Sequence, residues 1–267
     1  MSNVKKSWRD VTINEYFDLV DMIDEEQEDY SKEVKTIAFV YNMDEDEVWN
    51  LSVPEFHRLQ AGKAWMGKFE INTNAVFKSI KIGDMKCEIN VSLMDFTVAQ
   101  YIDFQTFWPH RDEMGKYIGN ILACFIIPKG MKYNEGYDIQ KLAETIRENV
   151  DIMTANEIIF FFSKLIAQFN KGYPNLLEGQ SDEDEEEDEG REEKRVYGEG
   201  PGADRGTAEE HFGWLSLVDK VSETVKKPWD DVFAMNVYEF FNLLAYIKWK
   251  DNKLKQQIDR WKQSHTA

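Results

Sequence analysis

Thr12-Ile-Asn-Glu15-Tyr-Phe-Asp-Leu-Val-Asp-Met-Ile23 sets the pattern for most of this chain. A hydroxyl followed three positions later by Glu is a capping box: the hydroxyl accepts from the third helical N–H and the carboxylate reaches back to the cap. Apolar residues then fall at Ile13, Tyr16, Phe17, Val20 and Ile23. Those steps of three and four are the period of a helix with one buried face. The same opening recurs at Ser52…Glu55, Thr97…Gln100 and Thr154…Glu157. After the last come Ile158, Ile159, Phe162, Leu165, Ile166 and Phe169, and Gly172 with Pro174 ends that helix. Met114–Phe125 and Ile139–Ile146 read as helices by the same spacing.

One segment alternates instead. Ile80-Lys-Ile82, Gly83-Asp84 and Met85-Lys-Cys87-Glu-Ile89-Asn-Val91 put apolar and polar residues in turn across a two-residue loop. The register predicts Ile82 opposite Met85, Ile80 opposite Cys87, and Lys81 opposite Lys86. Phe69 and Ile71 are the candidates for the third strand that an isolated hairpin needs. The fold class expected is therefore mainly α: a multi-helix N-terminal domain at 1–174 carrying a small antiparallel hairpin or sheet at about 68–92.

Between Ser181 and Arg195 ten acidic and three basic residues follow one another with no apolar residue among them. Glycines then crowd Val196–Gly206. Residues 175–207 read as a disordered acidic and Gly-rich linker, since like charges in a row offer nothing to offset the entropy of ordering. The bland reading of the acidic run is a solvated spacer; a binder for a basic partner surface comes next, and a calcium site last, since no turn glycine or terminal Glu spacing marks an EF-hand loop.

Beyond the linker, 208–267 reads as a C-terminal helical pair. His211–Val225 is opened by Thr207…Glu210, Pro228 breaks the chain, and Asn236…Glu239 opens a second helix. Its apolar pattern continues through Leu254, Ile258 and Trp261. Two helices alone make too small a core, so this piece either docks on the rest of the chain or awaits a partner. An internal echo joins the two ends of the protein. Val48-Trp-Asn-Leu-Ser-Val-Pro-Glu-Phe56 matches Val232-Phe-Ala-Met-Asn-Val-Tyr-Glu-Phe240. It is either a duplicated unit or the same cap chemistry reached twice.

With 267 residues and 42% hydrophobic content the chain has the material for a packed core. Its net charge of −18 repels phosphate, which argues against nucleic acid as a partner. Cys87 and Cys124 are too few for a disulfide framework and both fall on apolar faces, fitting a reducing compartment. The opening residues lack the apolar stretch of a signal peptide, and the longest apolar runs fall short of the ~20 residues of a spanning helix. The expected location is the cytoplasm, with no membrane association.

Chemistry is sparse. The histidines, His57, His110, His211 and His265, have no second ligand at metal spacing. No nucleophile elbow or phosphate-cradling glycine loop occurs. The reading is no catalytic, cofactor-binding or metal-binding residue, and no enzyme. Aromatics are the stronger feature: nine of them crowd the last 54 residues. Phe240 and Phe241 read as core, whereas Trp214, Trp229, Tyr246, Trp249 and Trp261 are the candidates for binding a partner, because aromatics dominate interface hot spots.

Several of these stretches together resemble the tail assembly chaperones of tailed bacteriophages: Trp8–Tyr16, Asp44–Trp49, Leu51–Phe56, the Ile82–Lys86 hairpin, Phe96–Phe104, and Trp229 through Lys250. The motifs are capping and packing motifs rather than chemistry. The resemblance implies a non-enzymatic protein that holds the helical tape-measure protein soluble and recruits tail-tube subunits. It also implies work in the host bacterial cytoplasm and absence from the mature virion. Self-association into a homo-oligomer is left open. An acidic capsid scaffolding or internal virion protein is the rival reading, and a small-molecule enzyme with a deep polar pocket is the rival from another class.

Overall fold

A computed structural model describes residues 4–25, 28–177 and 213–265. The chain forms α1 (Ile13–Asp24), α2 (Asp29–Tyr41), α3 (Glu45–Trp49), α4 (Val53–Gly62), β1 (Ser79–Ile82), β2 (Met85–Ile89), α5 (Val98–Phe107) and α6 (Met114–Ala123). There follow β3 (Ile126–Pro128), α7 (Ile139–Asn149), α8 (Ile152–Asn170), α9 (Pro174–Leu177), α10 (Gly213–Val225), α11 (Trp229–Phe233) and α12 (Val237–His265). The protein is mainly helical with one small antiparallel sheet, as its periodicities require. The acidic run and the Thr207…Glu210 helix start lie outside the described residues. Residues 175–177, expected in the linker, belong to α9.

The helices close into two compact units. The first comprises Met1–Val91 with His110–Phe162, and the second Ser92–Pro109 with Ser163–Ala267. This grouping differs from the boundaries expected at 174 and 208, because α5 pairs with the last helix rather than with its neighbours in sequence.

In the first unit the hairpin has the expected register, with Ile80 opposite Cys87, Lys81 opposite Lys86 and Ile82 opposite Met85. Gly83 makes the turn at φ +57°, a backbone conformation that glycine adopts without strain. The third strand is Ile126–Pro128, paired antiparallel to β2, and not Phe69 or Ile71. Ile126 and Ile127 end an apolar run that leaves α6, and Cys87 and Ile126 are fully buried. Cys124 is likewise core, and burial raises the pKa of the Cys87 thiol.

Helix α8 begins earlier than the Thr154…Glu157 box suggests. Asp151 caps it, accepting from the Thr154 N–H at 2.8 Å. Thr154 and Glu157 sit inside the helix and are held by Arg9, which donates to Thr154 Oγ1 at 3.0 Å and to Glu157 Oε1 at 2.7 Å. The Asn72 N–H also donates to that carboxylate oxygen at 3.0 Å. Hydrogen bonding to Glu157 raises the Arg9 pKa above its usual value. By length and composition α8 is apolar enough to cross a membrane, which the reading of short apolar runs overlooked. In the structure 56% of it is buried within the protein.

The echo between the two ends of the chain is a duplication of structure. Helix α2 (29–41) corresponds to α10 (213–225), α3 (45–49) to α11 (229–233), and the start of α4 to that of α12, all at one offset (213 − 29 = 184). The turn after the first helix passes through a left-handed residue in both, Asn42 at φ 49° and Lys226 at φ 58°. Backbone bonds repeat too: Leu51 N–H to Val48 C=O matches Met235 N–H to Val232 C=O, and Phe56 to Ser52 matches Phe240 to Asn236. Val34, Ile37, Val48 and Phe56 form the core of the first copy, and Val218, Val221, Val232 and Phe240 fill the same places in the second.

Candidate interaction surface

Helix α12 is fixed at its start and exposed at its end. Its cap, Asn236, pairs with Thr97, the cap of α5, in an antiparallel bridge. The Val98 N–H donates to Met235 C=O and the Val237 N–H to Phe96 C=O, each at 2.9 Å. The Asn236 amide donates to the Leu93 and Met94 carbonyls and its oxygen accepts from the Tyr238 N–H. Aromatic packing secures the first turns. The Tyr101 ring lies edge-on to Phe241 at 5.2 Å, to Phe169 at 5.7 Å and to Trp214 at 5.6 Å. The Tyr101 hydroxyl donates to Asn170 Oδ1 at 3.0 Å, and burial pushes its pKa up.

Past Leu244 the cover ends, and every residue from Trp249 to Trp261 is exposed. Tyr246 and Trp249 stack with centroids 6.0 Å apart, and Trp249, Leu254, Ile258 and Trp261 are between 43% and 61% exposed. Lys253 lies over the Trp249 ring at 5.1 Å. Residues 248–262 carry six basic and two acidic side chains, a local reversal in an acidic protein. At about 100° per residue Leu254, Ile258 and Trp261 fall on one face of the helix and Trp249 on the other side; an exposed apolar face of this kind can enter a groove or pair with another helix.

Of the five residues expected to bind a partner, Tyr246, Trp249 and Trp261 share this exposed half-helix. Trp229 is exposed on α11 and donates from its ring nitrogen to Asp219 Oδ1 at 3.1 Å. Trp214 is turned into the aromatic packing around Tyr101. Phe240 and Phe241 are buried, as expected.

A second exposed apolar area went unread in the sequence. Tyr30 on α2, Trp49 on α3 and Val53 on α4 are about half exposed or more, and rings link two of them: Tyr30 lies 5.0 Å from Trp49 and stacks on Phe56 at 5.2 Å. A groove of about 500 Å³ runs beside them between α2 and α4. The echo marks Val53 as the counterpart of buried Val237, whereas Trp49 answers to half-buried Phe233 and Tyr30 lies outside the echoed stretch.

Among the described residues no group of three or more His, Cys, Asp or Glu gathers as a metal set. No protein family, curated protein or solved structure matches this chain.

Proposed function

We propose that this protein is a non-enzymatic assembly chaperone of the kind that serves phage tails, binding the helical tape-measure protein and keeping it soluble while tail-tube subunits are recruited. The observation that carries the reading is the exposed second half of α12, where Trp249, Leu254, Ile258 and Trp261 offer apolar anchors on a well-anchored helix. Covering such side chains is worth roughly 1.5–3 kcal/mol each, and the net charge of −18 keeps a complex with an apolar client in solution. The work is done in the host cytoplasm and the protein leaves before the particle is complete.

The test is co-expression with the long helical tape-measure-like protein encoded near this gene, followed by size-exclusion chromatography with light scattering. A soluble complex that Leu254→Glu together with Ile258→Glu abolishes supports the reading. A client that stays insoluble beside a free monomer of this chain overturns it. Fractionation of this chain with capsid subunits would favour the scaffolding alternative.

A further inference from the structure

The two copies of the duplicated module differ in occupancy: among the described residues one socket is filled and the other is open. In the second unit, Met235, Val237, Trp214 and Phe241 form a socket that holds the first turn of α5. The bridge at Asn236–Thr97 fixes the register, and the Tyr101 ring packs on Trp214 and Phe241. Their counterparts in the first unit are Leu51, Val53, Tyr30 and His57, and these line the groove between α2 and α4. No bridge forms at Ser52 among the described residues, although Ser52 is capped by Glu55 as a helix start should be. Val237 is fully buried, whereas Val53 is 70% exposed.

The empty socket is not an apolar duplicate. Glu33 stands where the filled copy has Leu217, and His57 where it has Phe241. Glu33 Oε2 accepts from Lys63 Nζ at 2.8 Å, while Glu33 Oε1 is buried with no hydrogen-bond partner. Between Glu28 and Gln60 there are eight acidic and three basic residues. That charge disfavours a second copy of the same socket as the occupant, because the two acidic faces would repel.

We infer that this socket receives the first turn of a cationic helix from another polypeptide. The matching sequence is apolar–Ser/Thr/Asn/Asp–apolar–x–x–Lys/Arg. The cap pairs with Ser52 as Thr97 pairs with Asn236, the two apolar residues take the places of Phe96 and Val98, and the basic side chain replaces Tyr101. There it donates to Glu33 Oε1 and lies on the Tyr30 ring, a charge-assisted hydrogen bond and a cation–π contact from one group. This goes beyond the chaperone reading and does not depend on it.

The probe is a fluorescein-labelled peptide of the Leu93–Phe107 sequence made cationic by Asp95→Asn and Asp103→Lys and carrying Tyr101→Arg, beside the same peptide with Tyr101 unaltered, titrated into the full chain by fluorescence anisotropy. The Arg peptide should bind about tenfold tighter than the unaltered one, and Val53→Arg in the protein should weaken it by about tenfold or more. Glu33→Gln should erase the preference for Arg while moving the unaltered peptide less than about twofold. Because Val53 is exposed, an unchanged denaturation midpoint shows that the variant is folded. No binding, equal binding of the two peptides, or binding indifferent to Val53→Arg overturns the inference. A dimer of the chain alone that Val53→Arg dissolves also overturns it, by assigning the socket to a second copy.

Discussion

Thr97 and Asn236 face each other as paired helix caps in the second unit, and Thr12 and Asp151 do the same in the first. Both pairs exchange two backbone bonds: Ile13 N–H to Val150 C=O and Ile152 N–H to Val11 C=O repeat the pattern seen at Val98 and Val237. Each bridge closes two helix starts with residues of the form apolar–cap–apolar, so a single polar side chain satisfies the cap while its neighbours are buried.

Asn236→Ala removes the cap of α12 and leaves the Leu93 and Met94 carbonyls without its amide. It should destabilise the protein by about 2 kcal/mol. Ser52→Ala, at the counterpart with no bridge, should stay within about 1 kcal/mol. Urea denaturation of the two variants reads the difference directly, and equal losses would contradict the assignment.

Arg9 is the partner of a carboxylate whose side chain is 1% exposed, and Glu157 Oε2 has no hydrogen-bond partner of its own. Arg9→Met therefore leaves a buried charge uncompensated and should lower stability by about 3 kcal/mol. Adding Glu157→Met should recover most of that loss. A double-mutant cycle in denaturant gives the coupling, which should be well above that of an exposed pair.

Helices α6 and α7 approach closely at Gly119, against the Ala143 backbone and the Arg147 side chain. A Cβ there would lie 2.6 Å from the Ala143 carbonyl oxygen and 2.8 Å from Arg147 Cγ. Gly119→Ala gains helix propensity on paper yet should destabilise by about 2 kcal/mol, because backbone has to move. Thermal unfolding followed by circular dichroism measures it.

Acid should loosen the first unit. Backbone N–H donation from Lys6, with Ser7, lowers the pKa of Asp10; at Glu15 desolvation pulls upward, but the bonds from Lys5 and Thr12 outweigh it. Carboxylates with depressed folded-state values contribute stability that is present above the unfolded value and lost as pH falls through the folded one. The unfolding free energy should thus decline as pH drops through and below the ordinary carboxylate range. Glu15→Gln should flatten that decline by about 0.5–1 kcal/mol, discounted for its partial exposure.

Local patterns were legible wherever the physics is local. The Gly83-Asp84 loop fixes the hairpin register by itself, and the boxes at Thr12, Ser52 and Thr97 cap helices where they stand. The Thr154…Glu157 box misled because both side chains answer to Arg9, 145 and 148 positions away. The third strand hid in Ile126-Ile127-Pro128 for a related reason: a short buried apolar run has no period that separates strand from helix end. Exposure was the least legible quantity. Leu51-Ser52-Val53 and Met235-Asn236-Val237 have the same pattern, and only the presence of α5 beside the second decides that one is core and the other surface.

The long last helix has a further consequence, in hydrogen exchange. Its first turns are locked by Phe240, Phe241 and Leu244, while the residues from Trp249 to Trp261 rest on their own hydrogen bonds. A stretch of that length is marginal as a helix in water, so it frays from its end inward. Amide protons near Phe240 should exchange only with opening of the whole unit, and those near Ile258 far faster, along one continuous helix. A partner that covers the stripe would erase this gradient, making the exchange rate at Ile258 a direct gauge of occupancy.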